Sequence, residues 1–129
     1  MKSVLIADDD QIFRQVVAKF LAERGFTVAI ASDGMQASMM AIRNAPDAVV
    51  LDIRMPAGSG LEVLKRLRGS LKTSHVPVIV VSADLNGNLP LEAKQLGAEL
   101  FLAKPIDLEE LYKKLCEVLH LAPAEQSKS

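Results

Sequence analysis

A chain of 129 residues with 50% hydrophobic and 24% charged residues has the size and composition of one globular domain. A formal net charge of −1 argues against a basic nucleic-acid-binding surface. The single cysteine, Cys116, excludes an internal disulfide, and no stretch approaches the ~20 apolar residues of a membrane span. We therefore expect a cytoplasmic domain that contacts neither nucleic acid nor membrane directly.

Short apolar runs alternate with segments of helical period, which is the pattern of a parallel sheet with crossover helices. In the first helix, Ile12, Val16 and Phe20 recur every four residues with Phe13, Val17 and Leu21 beside them, so these six are predicted to form one apolar face. The predicted elements of the first half are Val4–Ala7, Gln11–Arg24, Thr27–Ala31, Gly34–Asn44 and Ala48–Leu51.

The second half continues the alternation. Its predicted elements are Gly60–Arg68, Val78–Val81, Leu91–Leu96, Leu100–Ala103 and a last helix that opens at Asp107. Ser59 and Asp107 each begin a capping-box pattern. Five strand–helix units predict a doubly wound (βα)₅ α/β sandwich. Known flavodoxin-like sheets of this kind have the parallel order 2-1-3-4-5, which we expect here by analogy. Residues 1–121 are predicted to form the domain, and residues 122–129 a flexible tail or the start of a linker.

Acidic residues end two of the predicted strands. Asp8, Asp9 and Asp10 follow the first strand, and Asp52 follows the third, apolar strand. If these strands are neighbours, the carboxylates converge and their pKa values rise unless a cation compensates. Mg²⁺ suits such a site, because it takes few carboxylates and completes its octahedron with water and phosphate. The alternative is that the aspartates only cap the first helix, and this is the interpretation we favour for Asp10.

A hydroxyl and an amine follow the last two strands. Ser82 could donate a hydrogen bond to a phosphoryl oxygen, and Lys104 could neutralise phosphate as a point charge. Each residue alone has a simpler interpretation, a turn former for Ser82 and a surface lysine for Lys104. In a parallel sheet, however, the carboxyl ends of the strands meet at one edge. The four motifs together therefore predict a phosphate-and-metal site, in which Asp52 is a ligand, a base or a nucleophile.

Five separated motifs resemble the receiver domain of two-component response regulators. They are Asp8-Asp9, Asp52, Met55-Pro56 with Gly60, Ser82-Ala83, and Lys104-Pro105, and the resemblance covers about residues 2–121 in the expected order. It implies a switch domain in which a sensor histidine kinase or histidine phosphotransfer protein phosphorylates Asp52. It also implies that the chain assists its own phosphorylation and dephosphorylation but turns over no external substrate.

The same resemblance implies a role for each matching residue. Asp9, Asp52 and the backbone carbonyl of Arg54 would hold Mg²⁺ directly, and Asp8 would act largely through water. Ser82 and Lys104 would each contact a phosphoryl oxygen. Phe101 occupies the aromatic switch position, Lys104-Pro105 would be a cis peptide, and the face formed by helix four, strand five and helix five would contact a target or a second copy.

Arg54 and Asp84 give this chain its own character, and Phe101 departs from the tyrosine that is often found at its position in the family. Arg54 and Asp84 each lie two residues beyond a site residue, so we hypothesise that they pair across the mouth of the site and slow dephosphorylation. An exposed pair contributes only ~0–1 kcal/mol, so the effect should be modest. Phe101 has no hydroxyl, which excludes a switch that works through a phenolic hydrogen bond.

Three other functions stay open at this point. A Mg²⁺-dependent phosphohydrolase would usually carry a second aspartate where Arg54 stands, and a nucleotide or flavin binder would need a glycine-rich first turn. A degenerate receiver that serves as a protein-interaction module would lack one of the acidic, hydroxyl or lysine positions, all of which are present here. The remaining conspicuous residues are interpreted as packing or surface groups: Met35, Met39, Met40, His75, His120 and Cys116.

Overall fold

The computed structural model describes residues 2–55, 59–83 and 88–122. Within these ranges five strands alternate with five helices. The elements are β1 (Ser3–Ala7), α1 (Gln11–Glu23), β2 (Thr27–Ala31), α2 (Gly34–Arg43), β3 (Ala48–Asp52), α3 (Gly60–Arg68), β4 (Val78–Ser82), α4 (Leu89–Gln95), β5 (Leu100–Ala103) and α5 (Leu108–Leu119). The flexible tail or linker predicted at residues 122–129 lies outside the described residues except for Ala122.

The strands form one parallel sheet in the order β2-β1-β3-β4-β5, which confirms the predicted (βα)₅ flavodoxin-like fold. Ala7 pairs with Leu51, so the residues that follow them, Asp8 and Asp52, emerge side by side. In the next two ladders Asp52 pairs with Val81 and Ser82 pairs with Ala103. The register therefore brings the four predicted strand ends to one edge of the sheet.

Helices cover both faces of the sheet and create two apolar cores. Every residue of β3 and of β4 is buried, because alternate side chains enter opposite cores. One core joins Val49 and Leu51 to α2, α3 and α4, and the other joins Val50 to α1 and α5. This double burial is the physical reason for the unbroken apolar runs in the sequence.

The predicted apolar face of α1 is partly wrong. Val17 and Leu21 are fully buried, but Ile12 is 73% exposed and Val16 is 48% exposed. The helix turns the Val17 stripe toward the sheet, so the neighbouring stripe lies at the rim of the core. Both stripes are apolar, and periodicity alone does not distinguish them.

The helix ends agree with the predicted ones to within two residues. The side chain of Asp10 accepts hydrogen bonds from the backbone N–H groups of Ile12 and Phe13, which confirms that it caps α1. Ser59 and Asp107 cap α3 and α5 in the same way. The helix α4 begins at Leu89, two residues earlier than predicted, because Pro90 fits the first turn, where its missing N–H has no helical partner. Among the described helices, none combines the length and apolar character that crossing a membrane requires.

Candidate functional site

Three carboxylates converge where β1 and β3 end. One oxygen each of Asp8, Asp9 and Asp52 lies within 4.8 Å of the others. Asp8 and Asp52 are 1% and 6% exposed, whereas Asp9 is exposed. The structure thus brings together the acidic residues selected from the sequence, and it buries two of them.

Lys104 reaches this cluster from the end of β5. Its Nζ donates a hydrogen bond of 2.7 Å to Asp8 Oδ2 and lies 3.6 Å from Asp52 Oδ2. We call Asp8, Asp9, Asp52 and Lys104 the acidic pocket. The lysine is already placed between the two buried carboxylates, so it is positioned to meet an anion bound at Asp52.

Two residues of α1 support the acidic pocket and were missed in the sequence. The Lys104 ammonium lies 4.3 Å from the centroid of the Phe13 ring, which makes a cation–π contact. Arg14 Nη1 donates a hydrogen bond of 2.8 Å to the backbone carbonyl of Asp8. Both residues lie in the first turn of the helix that follows the aspartates, and that proximity is the signal that could have identified them.

The charges of the acidic pocket do not balance. Burial, followed by the negative charge of Asp8, raises the pKa of Asp52, although Lys104 and the Arg54 N–H oppose this. Burial alone would lower the pKa of Lys104, but its hydrogen bond to Asp8 and the charge of Asp52 raise it overall. One ammonium therefore faces three carboxylates, and the pocket has the electrostatics and the hard oxygen donors of a divalent-cation site.

Ser82 and Phe101 lie on the strands that complete this edge. Ser82 is fully buried at the end of β4, and its carbonyl accepts a 3.0 Å hydrogen bond from the Lys104 backbone N–H. Phe101 pairs with Val80 and packs, partly buried, against the core that contains α4. The Lys104-Pro105 peptide is cis, as the resemblance implies.

Gly60 allows α3 to begin directly against the end of β3. Its N–H donates a 2.8 Å hydrogen bond to the carbonyl of Ile53. A Cβ at this position would lie 2.4 Å from the Asp52 carbonyl oxygen and 2.6 Å from Ile53 Cα. Only glycine fits this approach, so α3 fixes the backbone that carries the Asp52 carboxylate.

The predicted flanking pair is only partly described. Arg54 is exposed, and its backbone N–H donates a 3.3 Å hydrogen bond to Asp52 Oδ1. Asp84 lies outside the described residues, so the pairing of Arg54 with Asp84 stays a prediction.

The residues interpreted as packing or surface groups are placed accordingly. His75 and His120 are exposed, and Cys116 is 2% exposed inside the α1–α5 core. Met35 and Met39 are more than half exposed on α2, so they form surface and not core.

Comparisons with known proteins agree with this geometry. The family model described as "Response regulator receiver domain" matches residues 4–116. Response regulator MprA of Mycobacterium tuberculosis (strain ATCC 25177 / H37Ra) is 34% identical over 124 residues, which are 96% of this chain and 53% of that protein. The chain thus spans about half the length of the curated relatives that it matches.

Two solved structures share the fold closely. Chemotaxis protein CheY4 of Vibrio cholerae is 31% identical, with a TM-score of 0.86 over 92% of this chain and 98% of that one. The receiver domain of sensor histidine kinase PA1611 from Pseudomonas aeruginosa PAO1, solved with a magnesium ion in its active site cleft, is 28% identical, with a TM-score of 0.85 over 92% of this chain and 98% of that one. On this match of sequence, fold and acidic pocket, the chain belongs to the receiver domain family of response regulators.

Proposed function

We propose that Asp52 accepts a phosphoryl group from a phosphohistidine on a sensor histidine kinase or histidine phosphotransfer protein. The observation that carries this proposal is the position of Asp52, a buried carboxylate at a strand end with the Lys104 ammonium 3.6 Å away. A carboxylate oxygen attacks phosphorus, the phosphorus–nitrogen bond breaks, and an acyl phosphate forms on Asp52 as the histidine nitrogen leaves.

The neighbours of Asp52 are suited to binding the transferred group. Lys104 can exchange part of its contact with Asp8 for a phosphoryl oxygen, and the Ser82 hydroxyl can donate to another. Phosphoryl transfer depends mainly on positioning and charge, so these residues would assist both phosphorylation and dephosphorylation of the chain itself. We propose that the chain does not turn over an external substrate.

Mg²⁺ is the cofactor that the acidic pocket fits. The donors are hard carboxylate oxygens within 4.8 Å of one another, and their charge exceeds that of Lys104. Asp9, Asp52 and the backbone carbonyl of Arg54 would hold the ion, with Asp8 acting largely through water. When bound, the ion would offset negative charge on the transferring phosphoryl group. The magnesium ion in the similar PA1611 receiver domain supports this assignment.

The proposed output is a change in the face formed by α4, β5 and α5. Ser82 and Phe101 lie on adjacent strands beneath this face, so a shift of Ser82 toward phosphate can be followed by repacking of Phe101. The changed face would bind an output domain, another partner or a second copy. Hydrogen exchange across residues 85–96 should then respond to phosphorylation of Asp52, and exchange that ignores it would contradict this output.

The domain boundary and the cellular location belong to the same proposal. We propose that residues 1–121 form the receiver domain and that residues 122–129 form a flexible tail or a linker. The relatives are about twice as long as the matched region, which leaves room for an output domain in a protein of that kind. A cytoplasmic location accords with a donor kinase whose phosphohistidine must reach Asp52.

Intact mass after incubation with Mg²⁺ and acetyl phosphate tests the proposal. We expect one added phosphate that requires Mg²⁺, is labile to alkali and disappears in Asp52→Asn. Asp10→Asn is the matched control, because Asp10 is an exposed helix cap that should leave the adduct intact. An adduct that persists in Asp52→Asn would contradict the assignment, and turnover of a generic phosphate ester would favour a phosphohydrolase.

The proposed Arg54–Asp84 pair has its own test. Asp84→Ala should shorten the lifetime of the acyl phosphate a few-fold, because an exposed pair is worth only ~0–1 kcal/mol. An unchanged rate of dephosphorylation would refute the proposal that this pair slows dephosphorylation.

A further inference from the structure

The outer edge of β2 carries backbone groups that face away from the sheet. The Thr27 N–H donates to the Lys2 carbonyl at 2.9 Å, and the Ala31 carbonyl accepts from the Asp8 N–H at 3.1 Å. Because the N–H and C=O of one strand residue point the same way, alternate residues of β2 face β1, and Val28 and Ile30 face outward. In the described sheet β2 is an edge strand with β1 as its only neighbour.

This edge lacks the features that usually prevent strands from pairing. The strand reads Thr-Val-Ala-Ile-Ala, without charge or proline, and it is flanked by Phe26 and Ser32. The opposite edge strand, β5, is flanked directly by Glu99 and Lys104. Charged and proline residues are the common protection of an edge strand. Of the two edge strands, β2 is therefore better suited to pair with a strand of another chain.

A groove of about 720 Å³ runs beside the same edge, and we call it the edge groove. Thr27 and Ala29 contribute to its floor, and Met35 and Met39 of α2 contribute to its wall. The two methionines are 57% and 54% exposed and one helical turn apart. Flexible methionine side chains on a surface are suited to covering an apolar partner.

The edge groove has a negative charge at one end of α2 and a positive charge at the other. Asp33 precedes the first residue of α2, and Arg43 is its last residue, and both line the groove. A second copy of α2 that runs in the opposite direction places its Arg43 beside Asp33 and its Asp33 beside Arg43. The groove is therefore complementary to itself under a two-fold rotation.

From these features we infer that the chain forms a two-fold dimer in which β2 pairs antiparallel with β2 of a second copy, centred on Ala29. In this register the outward backbone N–H and C=O groups of Val28 pair with those of Ile30 in the second copy, and those of Ile30 pair with Val28 of the second copy. Each pair makes two hydrogen bonds, so the contact has four backbone hydrogen bonds. Ala29 faces its own counterpart, and small side chains there permit close approach. Met35 and Met39 of each copy cover the edge groove of the other, and the two sheets join into one of ten strands.

This interface uses none of the residues of the acidic pocket, so it exists whether or not Asp52 is phosphorylated. It also differs from the α4–β5–α5 face, which lies at the opposite edge of the sheet. The dimer and the phosphoacceptor function can therefore succeed or fail independently.

Sedimentation velocity over a wide range of concentration tests the dimer. The weight-average mass of the wild type should rise toward twice that of one chain. Ala29→Lys and Ala29→Glu should each remain monomeric, because like charges would lie directly opposite one another. An equimolar mixture of the two variants should restore the dimer, which only a self-contact at Ala29 explains. Circular dichroism and thermal melts confirm that each variant is folded.

Disulfide formation gives a second measurement. The Cα atoms of a non-hydrogen-bonded antiparallel pair lie ~4.5 Å apart, within the range of a disulfide. Ala29→Cys in a Cys116→Ser background should therefore oxidise to a covalent dimer much faster than Ile12→Cys in the same background, although Ile12 is 73% exposed. The matched cysteine on α1 controls for random collision.

Three results would overturn the inference. The first is a wild type that stays monomeric at every concentration, with no faster crosslinking at Ala29 than at Ile12. The second is a dimer that neither charged substitution of Ala29 dissociates. The third is a dimer that dissociates in Leu91→Lys, on α4, but not in Ala29→Lys, which would assign it to the α4–β5–α5 face.

Discussion

Gly60→Ala should damage both the stability of the domain and its phosphorylation. The added Cβ would lie 2.4 Å from the Asp52 carbonyl oxygen and 2.6 Å from Ile53 Cα, and both atoms belong to backbone. A side chain could rotate away from such a clash, but here α3 or the end of β3 must move. Opening the shorter contact to 3.0 Å requires a shift of about 0.6 Å. That shift occurs at Asp52, the residue that bears the proposed phosphoacceptor carboxylate.

The expected loss follows from overpacking in a rigid core. Such insertions typically cost ~1–3 kcal/mol of the free energy of unfolding. With an unfolding entropy of about 2.1 cal/mol/K per residue, this range lowers the melting temperature of 129 residues by roughly 4–11 °C. Displacement of a reacting group by ~1 Å can slow a reaction about 100-fold, so we expect phosphorylation by acetyl phosphate to be slower by up to that factor.

Urea titration, thermal melts and timed intact-mass measurements provide the assay. Gly69→Ala is the matched control, because a Cβ there meets its nearest atom at 3.4 Å and its φ of −86° suits any residue. It should be neutral or slightly stabilising, since alanine reduces the freedom of the unfolded chain. A Gly60→Ala variant that unfolds and reacts like wild type, or an equal loss of stability in both variants, would contradict a steric role for Gly60.

Three further predictions concern charge and burial. Because burial and Asp8 raise the pKa of Asp52 above its unfolded value, its ionised form opposes folding in full above the folded value. This penalty declines as pH falls through the folded value and is absent below the unfolded pKa. In EDTA, Asp52→Asn should therefore melt above wild type at neutral pH but not in acid; a gain that is constant with pH would contradict this. Lys104→Met should lower the free energy of unfolding by about 1–2 kcal/mol, because it removes a charge-assisted hydrogen bond from buried Asp8. The pKa of Lys104 is raised, so the difference in free energy of unfolding between wild type and Lys104→Met should be full below the ordinary lysine pKa. It should vanish as pH rises through the folded value of Lys104, which urea titrations at neutral and strongly alkaline pH can measure. Ser38 Oγ is buried without a hydrogen-bond partner among the described residues, so Ser38→Ala should raise the free energy of unfolding by ~0.5–2 kcal/mol, whereas Ser74→Ala, at an exposed position, should not.

The strand ends were predictable because two independent signals coincide there. Apolar runs buried on both faces mark β3 and β4, and polar residues interrupt those runs where the strands leave the core. Parallel geometry then requires that Asp8, Asp52 and Ser82 share one edge. The convergence of the acidic pocket therefore follows from local patterns together with strand order.

The remaining features depend on packing between distant segments. The choice between Val17 and Val16 as the buried residue of α1 is a rotation of one helical position, which an apolar stripe on both sides does not determine. The contact of Lys104 with Phe13 joins residues that are far apart in the chain. The steric need for Gly60 arises only when α3 is docked on β3. The local sequence places Phe13 near the strand ends, but it does not determine any of these packing contacts.

The position of Lys104 in the chain links the charge of the pocket to folding of the C-terminal unit. Asp8 follows β1 and Asp52 ends β3, whereas their ammonium partner follows β5. Any partly folded state in which β5 and α5 have detached exposes the carboxylates without this cation. Protonation or phosphorylation at Asp52 must therefore shift the docking equilibrium of β5 and α5, and by reciprocity a ligand that holds those elements in place must alter the reactivity of Asp52. The docking of β5 is thus thermodynamically linked to the charge on Asp52 at the end of β3.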